Sequence, residues 1–164
     1  MILKTSFAGF SVLSKEKLLA QIDFIKNMFP SNVNLPNIYL LYGDLEDKEM
    51  NQLYNHPKVK TMISFTHGEG FGRPLLEATM TGLPVIAPNW SGHLDFLDEE
   101  YCILLSGELN KVPQSAVWEN IIIPESEWFT VDEVETSKVL DYAFRNSFDM
   151  KVRSKRLMEI NRNK

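Results

Sequence analysis

Between residues 61 and 92 the chain reads TMISFTHGEGFGRPLLEATMTGLPVIAPNWSG, and this stretch leaves few options for the fold. Met62 to Phe65 is a short apolar run of strand formers, and it stops at Gly68, Gly70 and Gly72, a spacing that suits a loop. Pro74 has a fixed φ and no N–H to leave unpaired, so it fits the first helical position; Leu75, Leu76, Ala78 and Met80 give that helix an apolar side. Gly82 stops the helix as a C′ glycine, Pro84 follows, and Val85 to Ala87 reads as a second strand. Two strands joined by so short a helix are predicted to be parallel with a right-handed crossover. Loops 66–73 and 88–93 then open on one edge of the sheet, where ligands bind in folds of this kind.

The glycines let the backbone come close to a bound group, and the N–H groups and dipole at the helix start favour an anion. A phosphate is the expected guest. The G-x-G-x-G spacing is not the dinucleotide fingerprint, and no acidic residue follows at Ala87 to hold a ribose. A Walker loop needs Gly-Lys-Ser/Thr, whereas Arg73-Pro74 stands there.

What matches instead is Glu69, seven intervening residues, then Glu77, within EGFGRPLLEA and followed by GLPVIAP. This E-x7-E pattern closely resembles the signature of retaining glycosyltransferases of the GT-B fold, above all family 4, and covers their donor-binding half. The resemblance implies an α/β fold, a Rossmann-like parallel sheet with helices on both faces that forms one half of a GT-B molecule. It implies a nucleotide-diphosphate sugar as donor, with no other cofactor and no metal. Glu69 would lie beside the transferred sugar as the catalytic-site glutamate, and Glu77 would bind the ribose hydroxyls. Backbone around Gly68, Gly70, Phe71 and Gly72, and at the helix start near Leu75, would meet the sugar and the diphosphate. A carboxylate can accept two hydrogen bonds from a vicinal diol, so the division is chemically sound. Glu77 also has a structural reading, as an acid that complements the helix dipole. Arg73, the first arginine in the chain, reads either as a diphosphate contact or as a surface ion-pair partner.

In the facing loop, Ser91 and Gly92 can offer hydroxyl and backbone donors to a phosphate or sugar. His67 and His93 stand one in each loop without a third partner at metal-ligand spacing, and read as sugar contacts or packing, His67 being the better contact candidate. By resemblance, the loop after the preceding strand, at Tyr42 and Gly43, would read the base; it is equally a plain strand-to-helix turn.

The chain of 164 residues carries 17 basic and 22 acidic side chains, a balance that argues against a general nucleic-acid or membrane surface. The tail from Lys151 holds six bases and one acid, leaving eleven and twenty-one before it. It reads as a solvated helical face or as a contact for a membrane surface or acidic partner. Cys102 is the single cysteine, in an apolar run that suggests a buried filler. No signal peptide or membrane span is legible, and a cytoplasmic setting fits, with peripheral membrane contact through the tail as an option.

In chain order, the pattern predicts a strand over 2–5, a loop over 7–12 and a helix opened by Ser14 and Glu16 through about Met28. A strand suited to burial on both faces follows over 37–42, then a short helix over 47–54. The acids Asp44, Glu46, Asp47 and Glu49 look like helix-start acids rather than a metal site. After a helical turn over 94–97 and a strand over 101–105, residues 106–129 read as an irregular excursion. A Thr130 to Glu133 capping box then opens a helix through about Arg145.

Two domains are expected, an N-terminally truncated nucleotide-sugar-binding Rossmann-like domain over 1–150 and a basic helical tail over 151–164. Set against the resemblance, the acceptor-binding N-terminal half and the basic clamp on the diphosphate are missing, leaving Lys4 and Arg73 as the bases near the site. The leading function is the donor-binding part of a hexosyltransferase that works with an N-terminal acceptor half or separate subunit, the isolated chain being inactive. The alternatives are a non-catalytic nucleotide-sugar binding module and a self-associating remnant, for which a homodimer across an exposed edge is plausible.

Overall fold

A computed structural model describes residues 1–5 and 12–163. The loop expected over 7–12 lies almost wholly outside them. The described chain divides into two compact units, Met1–Met50 and Asn51–Lys164, each taken by itself.

In the first unit, β1 (Ile2–Thr5) and β2 (Tyr39–Tyr42) pair in parallel, Ile2 opposite Tyr39 and Thr5 opposite Tyr42, with α1 (Val12–Asn27) between them in sequence. The prediction of β2 as a strand buried on both faces is not met: Tyr39 is 62% exposed. No described side chain of residues 1–50 is buried. A two-stranded pair with one helix has too little apolar area of its own to enclose a centre. Lys4 donates from Nζ to the Gly43 carbonyl at 2.7 Å, and the Gly43 amide donates to Thr5 O at 3.1 Å. Helix α2 (Asp47–Tyr54) has the expected bounds, and Glu49 accepts from the Glu46 amide at 2.8 Å, so this acid caps the helix.

The second unit is built on three parallel strands in the order β3-β4-β5, with β3 at Met62–Ile63, β4 at Val85–Pro88 and β5 at Ile103–Leu105. Met62 lies opposite Val85, and Ile86 opposite Ile103. Strand β4 is central and buried at every position, as its unbroken apolar run requires. The fold is the expected α/β one, with parallel strands joined through helices. Helix α3 spans Arg73–Met80, so Pro74 is its second residue rather than its first. Gly82, at φ 67°, ends it: the Gly82 amide donates to Thr79 O at 2.8 Å and the Leu83 amide to Ala78 O at 3.2 Å. This is a Schellman cap, and only a residue comfortable in the left-handed region closes it without strain.

The region read as an irregular excursion holds an antiparallel hairpin of β6 (Gly107–Lys111) and β7 (Glu127–Val131), Gly107 opposite Val131. The run Trp128-Phe129-Thr130-Val131 was its signal, aromatic and β-branched side chains together. Helix α4 (Glu133–Arg145) is capped by Asp132, whose carboxylate accepts from the Glu135 amide at 2.6 Å, and not by Thr130, which is paired in β7.

Helix α5 (Ser147–Arg162) takes in the basic tail, helical as expected, and packs on α3. Lys151 Nζ and Ser154 Oγ both donate to Gly82 O at 2.7 Å, and Arg162 donates to Met80 O at 2.9 Å. Two cations thus sit at the negative end of the α3 dipole. Asn161 Nδ2 joins Thr79 Oγ1, at 3.0 Å, to Phe96 O, at 3.1 Å. Under the sheet, Ile86, Leu105, Ala143 and Met150 form the core with Ile103, Val131 and Val139 against them. Cys102 is buried as expected, its Sγ 3.1 Å from Asp98 O.

Candidate functional site

The two glycine-bearing loops meet above β3 and β4. Ser91 Oγ donates to Glu69 O at 2.6 Å and accepts from the Glu69 amide at 3.0 Å, and the Gly92 amide donates to Glu69 O at 3.0 Å. Three bonds therefore fix the Glu69 backbone. A side chain at Gly92 would overlap Gly70 O, which is why this crossing needs glycine. Ser91 itself sits at φ 85°, ψ −169°, a region almost reserved for glycine, and its two bonds to Glu69 hold it there. The Glu69 side chain is half-buried, and its carboxylate makes no hydrogen bond or ion pair among the described residues.

Gly72, at φ 84°, is the N-cap of α3. Its carbonyl accepts from the amides of Leu75, at 2.9 Å, and Leu76, at 3.1 Å. The Leu75 amide is thus engaged within the turn, and its side chain is buried under the helix. Arg73 Nε pairs with Glu77 Oε1 at 2.7 Å across one helical turn. Glu77 also bears on Tyr54, whose phenol is pushed up to about 12, first by burial and then by that carboxylate.

A family model described as glycosyl transferases group 1 matches residues 30–122, more than half of the chain. The chain belongs to this glycosyltransferase family. No curated protein matches it. Among solved structures it is similar to Anabaena Alr3699/HepE in complex with UDP-glucose, at a TM-score of 0.62 and 16% identity, covering 99% of this chain and 35% of that one. The same Anabaena protein with UDP and glucose, and with UDP, gives a TM-score of 0.61 at the same identity and coverage. At that identity the likeness is one of fold, and this glycosyltransferase chain spans about a third of the length of those structures.

The remaining residues of interest in this group 1 chain divide by environment. His93 is fully buried, with Nε2 2.7 Å from Pro88 O, so Nε2 is the protonated nitrogen, and its Cβ lies against Gly72. His67 is exposed; its Nδ1 lies 2.8 Å from Phe129 O and its ring stacks on Trp128 at 4.6 Å and 11°. Phe71 is exposed and leans on Phe96 at 5.3 Å. Tyr42 and Gly43 belong to the first unit, and the Gly43 carbonyl is taken by Lys4. Among the described residues, no three His, Cys, Asp or Glu side chains converge as a metal site, and no helix is long and apolar enough to cross a membrane.

The sequence did not reveal that β7 is held at the mouth of these loops. Trp128 and Phe129 are consecutive and project to opposite faces of β7. His67 stacks on the first, while Trp90, from the opposite loop, stacks on the second at 5.8 Å and 4°. The Phe129 amide also donates to His67 O at 3.3 Å. Each loop thus grips one face of the strand.

Proposed function

We propose that this chain is the donor-binding part of a retaining glycosyltransferase that moves a hexose from a nucleoside diphosphate to an acceptor. The observation that carries the reading is Glu69, a half-buried carboxylate with a fixed backbone and no partner among the described residues, one turn of loop ahead of the start of α3. In this reading Glu69 accepts hydrogen bonds from the hydroxyls of the transferred sugar. Glu77 holds the ribose diol, and Arg73, its partner in the ion pair, lies close enough in sequence to the helix start to neutralise a phosphate.

The backbone at Gly68, Gly70, Phe71 and Gly72 lines the approach to the diphosphate, with Ser91 and Gly92 opposite and His67 at the mouth. The N-terminus of α3 stabilises the charge that develops as the sugar–oxygen bond to the diphosphate breaks. The Leu75 amide adds little here, since it already donates to Gly72 O. The tail from 151 braces the helix behind the glycine loop.

In this reading an acceptor-binding half or separate subunit completes the enzyme; the chain spans 35% of the length of the structures it resembles. UDP is the first nucleotide to test, since it is bound in those structures. Calorimetric titration with UDP, GDP and ADP and their hexose derivatives, with Glu77→Ala alongside, decides the matter. One nucleotide that binds, and binds more weakly to Glu77→Ala, supports the donor site and names the base; a folded chain that binds none overturns it.

A further inference from the structure

Trp90 presents a large apolar ring at the mouth of the two loops, 42% exposed although one of its faces lies on Phe129. Exposed tryptophan is unfavourable unless something covers it, and this one is held still. Phe129 beneath it is buried, and is tied through its backbone to His67 by two hydrogen bonds. The next residue, Ser91, is bonded to the backbone of Glu69. Phe71, 50% exposed, belongs to the loop that carries Glu69. A rigid aromatic face, one residue from the serine that holds the backbone of Glu69, together with a carboxylate that has no partner among the described residues, matches the surface of a sugar, which has C–H groups on its ring faces and hydroxyls around its rim.

We propose that Trp90 is a stacking platform for a pyranose ring, with Glu69 receiving the hydroxyls of the same or an adjoining ring. The ring can come from two sources, the donor's own sugar or a glycoside on the acceptor side. Only the first rests on the donor-site reading above.

The test compares the wild-type chain with Trp90→Ala and Trp90→Phe. Calorimetry gives the ratio of UDP-glucose to UDP affinity, and saturation-transfer NMR follows methyl α-glucoside without any nucleotide. If Trp90 stacks on the donor sugar, Trp90→Ala lowers the ratio by about 3- to 10-fold, in line with aromatic stacking elsewhere, and Trp90→Phe restores most of it. If it stacks on an acceptor glycoside, transfer to the glucoside is lost in Trp90→Ala and kept in Trp90→Phe. An unchanged ratio together with unchanged transfer overturns the proposal, as does a wild-type chain that shows no sugar-dependent binding in either arm. UDP titration of Glu77→Ala, which does not involve Trp90, separately decides the donor-site reading.

Discussion

The Ser91 hydroxyl spans the backbone of Glu69, accepting from its amide at 3.0 Å and donating to its carbonyl at 2.6 Å. Ser91 holds a backbone conformation that costs about 1–3 kcal/mol for a residue with a side chain. Ser91→Ala keeps that strain and loses both bonds, each worth about 0.5–1.5 kcal/mol. Ser91→Gly loses the bonds but relieves the strain. Urea denaturation is expected to place Ser91→Gly close to wild type, the relieved strain offsetting the lost bonds, and Ser91→Ala below both. A Ser91→Ala chain as stable as Ser91→Gly would mean that the backbone at residue 91 carries no such strain.

Gly92→Ala is expected to be the most damaging small substitution in the loops. Its methyl would overlap the Gly70 carbonyl, and neither is the flexible end of a side chain, so the loops must part. Thermal unfolding should show a clear drop in Tm, and nucleotide binding should fall with it. Gly70→Ala, which meets nothing within 4 Å, is the matched control for stability.

Arg73 and Glu77 separate stability from binding. Their ion pair is exposed and within one helix, so it contributes about 0–1 kcal/mol, and Glu77→Ala should move the denaturation midpoint little. Glu77→Ala, which removes a charged acceptor for the ribose hydroxyls, should weaken nucleotide binding by about 10-fold or more. Urea denaturation and calorimetric titration of Glu77→Ala check the two statements.

The brace between α5 and α3 predicts a long-range effect. Leu157 is 2% exposed at the centre of α5, and Leu157→Ala should cost about 2–5 kcal/mol. Asn161→Ala removes the link from Thr79 to Phe96 O, and Phe96 in turn supports Phe71 in the glycine loop. Hydrogen exchange should show faster amides in loop 66–72 for Asn161→Ala. Faster exchange confined to α5 would show that the brace ends at the helix.

Burial pushes the Cys102 thiol from 9.0 up to about 12. A raised folded value means the thiol favours the folded state while protonated. Its contribution is full below pH 9, where both states hold the proton, and is lost between pH 9 and about 12 as the unfolded chain alone ionises. Wild type should therefore lose more stability than Cys102→Ala over that interval in urea titrations. Thiol reagents at pH 8 should label Cys102 only as the chain unfolds.

The parts of this chain that were legible share a physical trait. The unit from β3 through β4 was readable because local signals agree there: an apolar strand run, glycines at a loop, proline at a helix start and glycine at φ 67° at its end. The acids over 44–49 were likewise readable as cap chemistry, since Glu49 closes on Glu46 within one turn. The hairpin was missed because β6, GELNK, is exposed along its whole length and lacks an apolar alternation. Only pairing with β7 makes it a strand. Capping by Asp132 rather than Thr130 follows from the same pairing, which takes Thr130 into β7. The partners of His67 and Trp90 were invisible for the same reason, since each bond or stack joins residues far apart in the chain.

The family match ends at residue 122, whereas the strand gripped by both loops begins at Glu127 and the helix bracing α3 begins at Ser147. His67 is separated from Phe129 by 62 positions, and Thr79 from Asn161 by 82. Contacts that distant form late, after shorter-range structure has paid for chain closure. On a ribosome the signature sequence would therefore emerge, and its helix could form, well before the site acquired its working shape. A chain stopped at residue 122 would still carry every letter of the motif, yet it would lack the two clamps that turn those letters into a mouth.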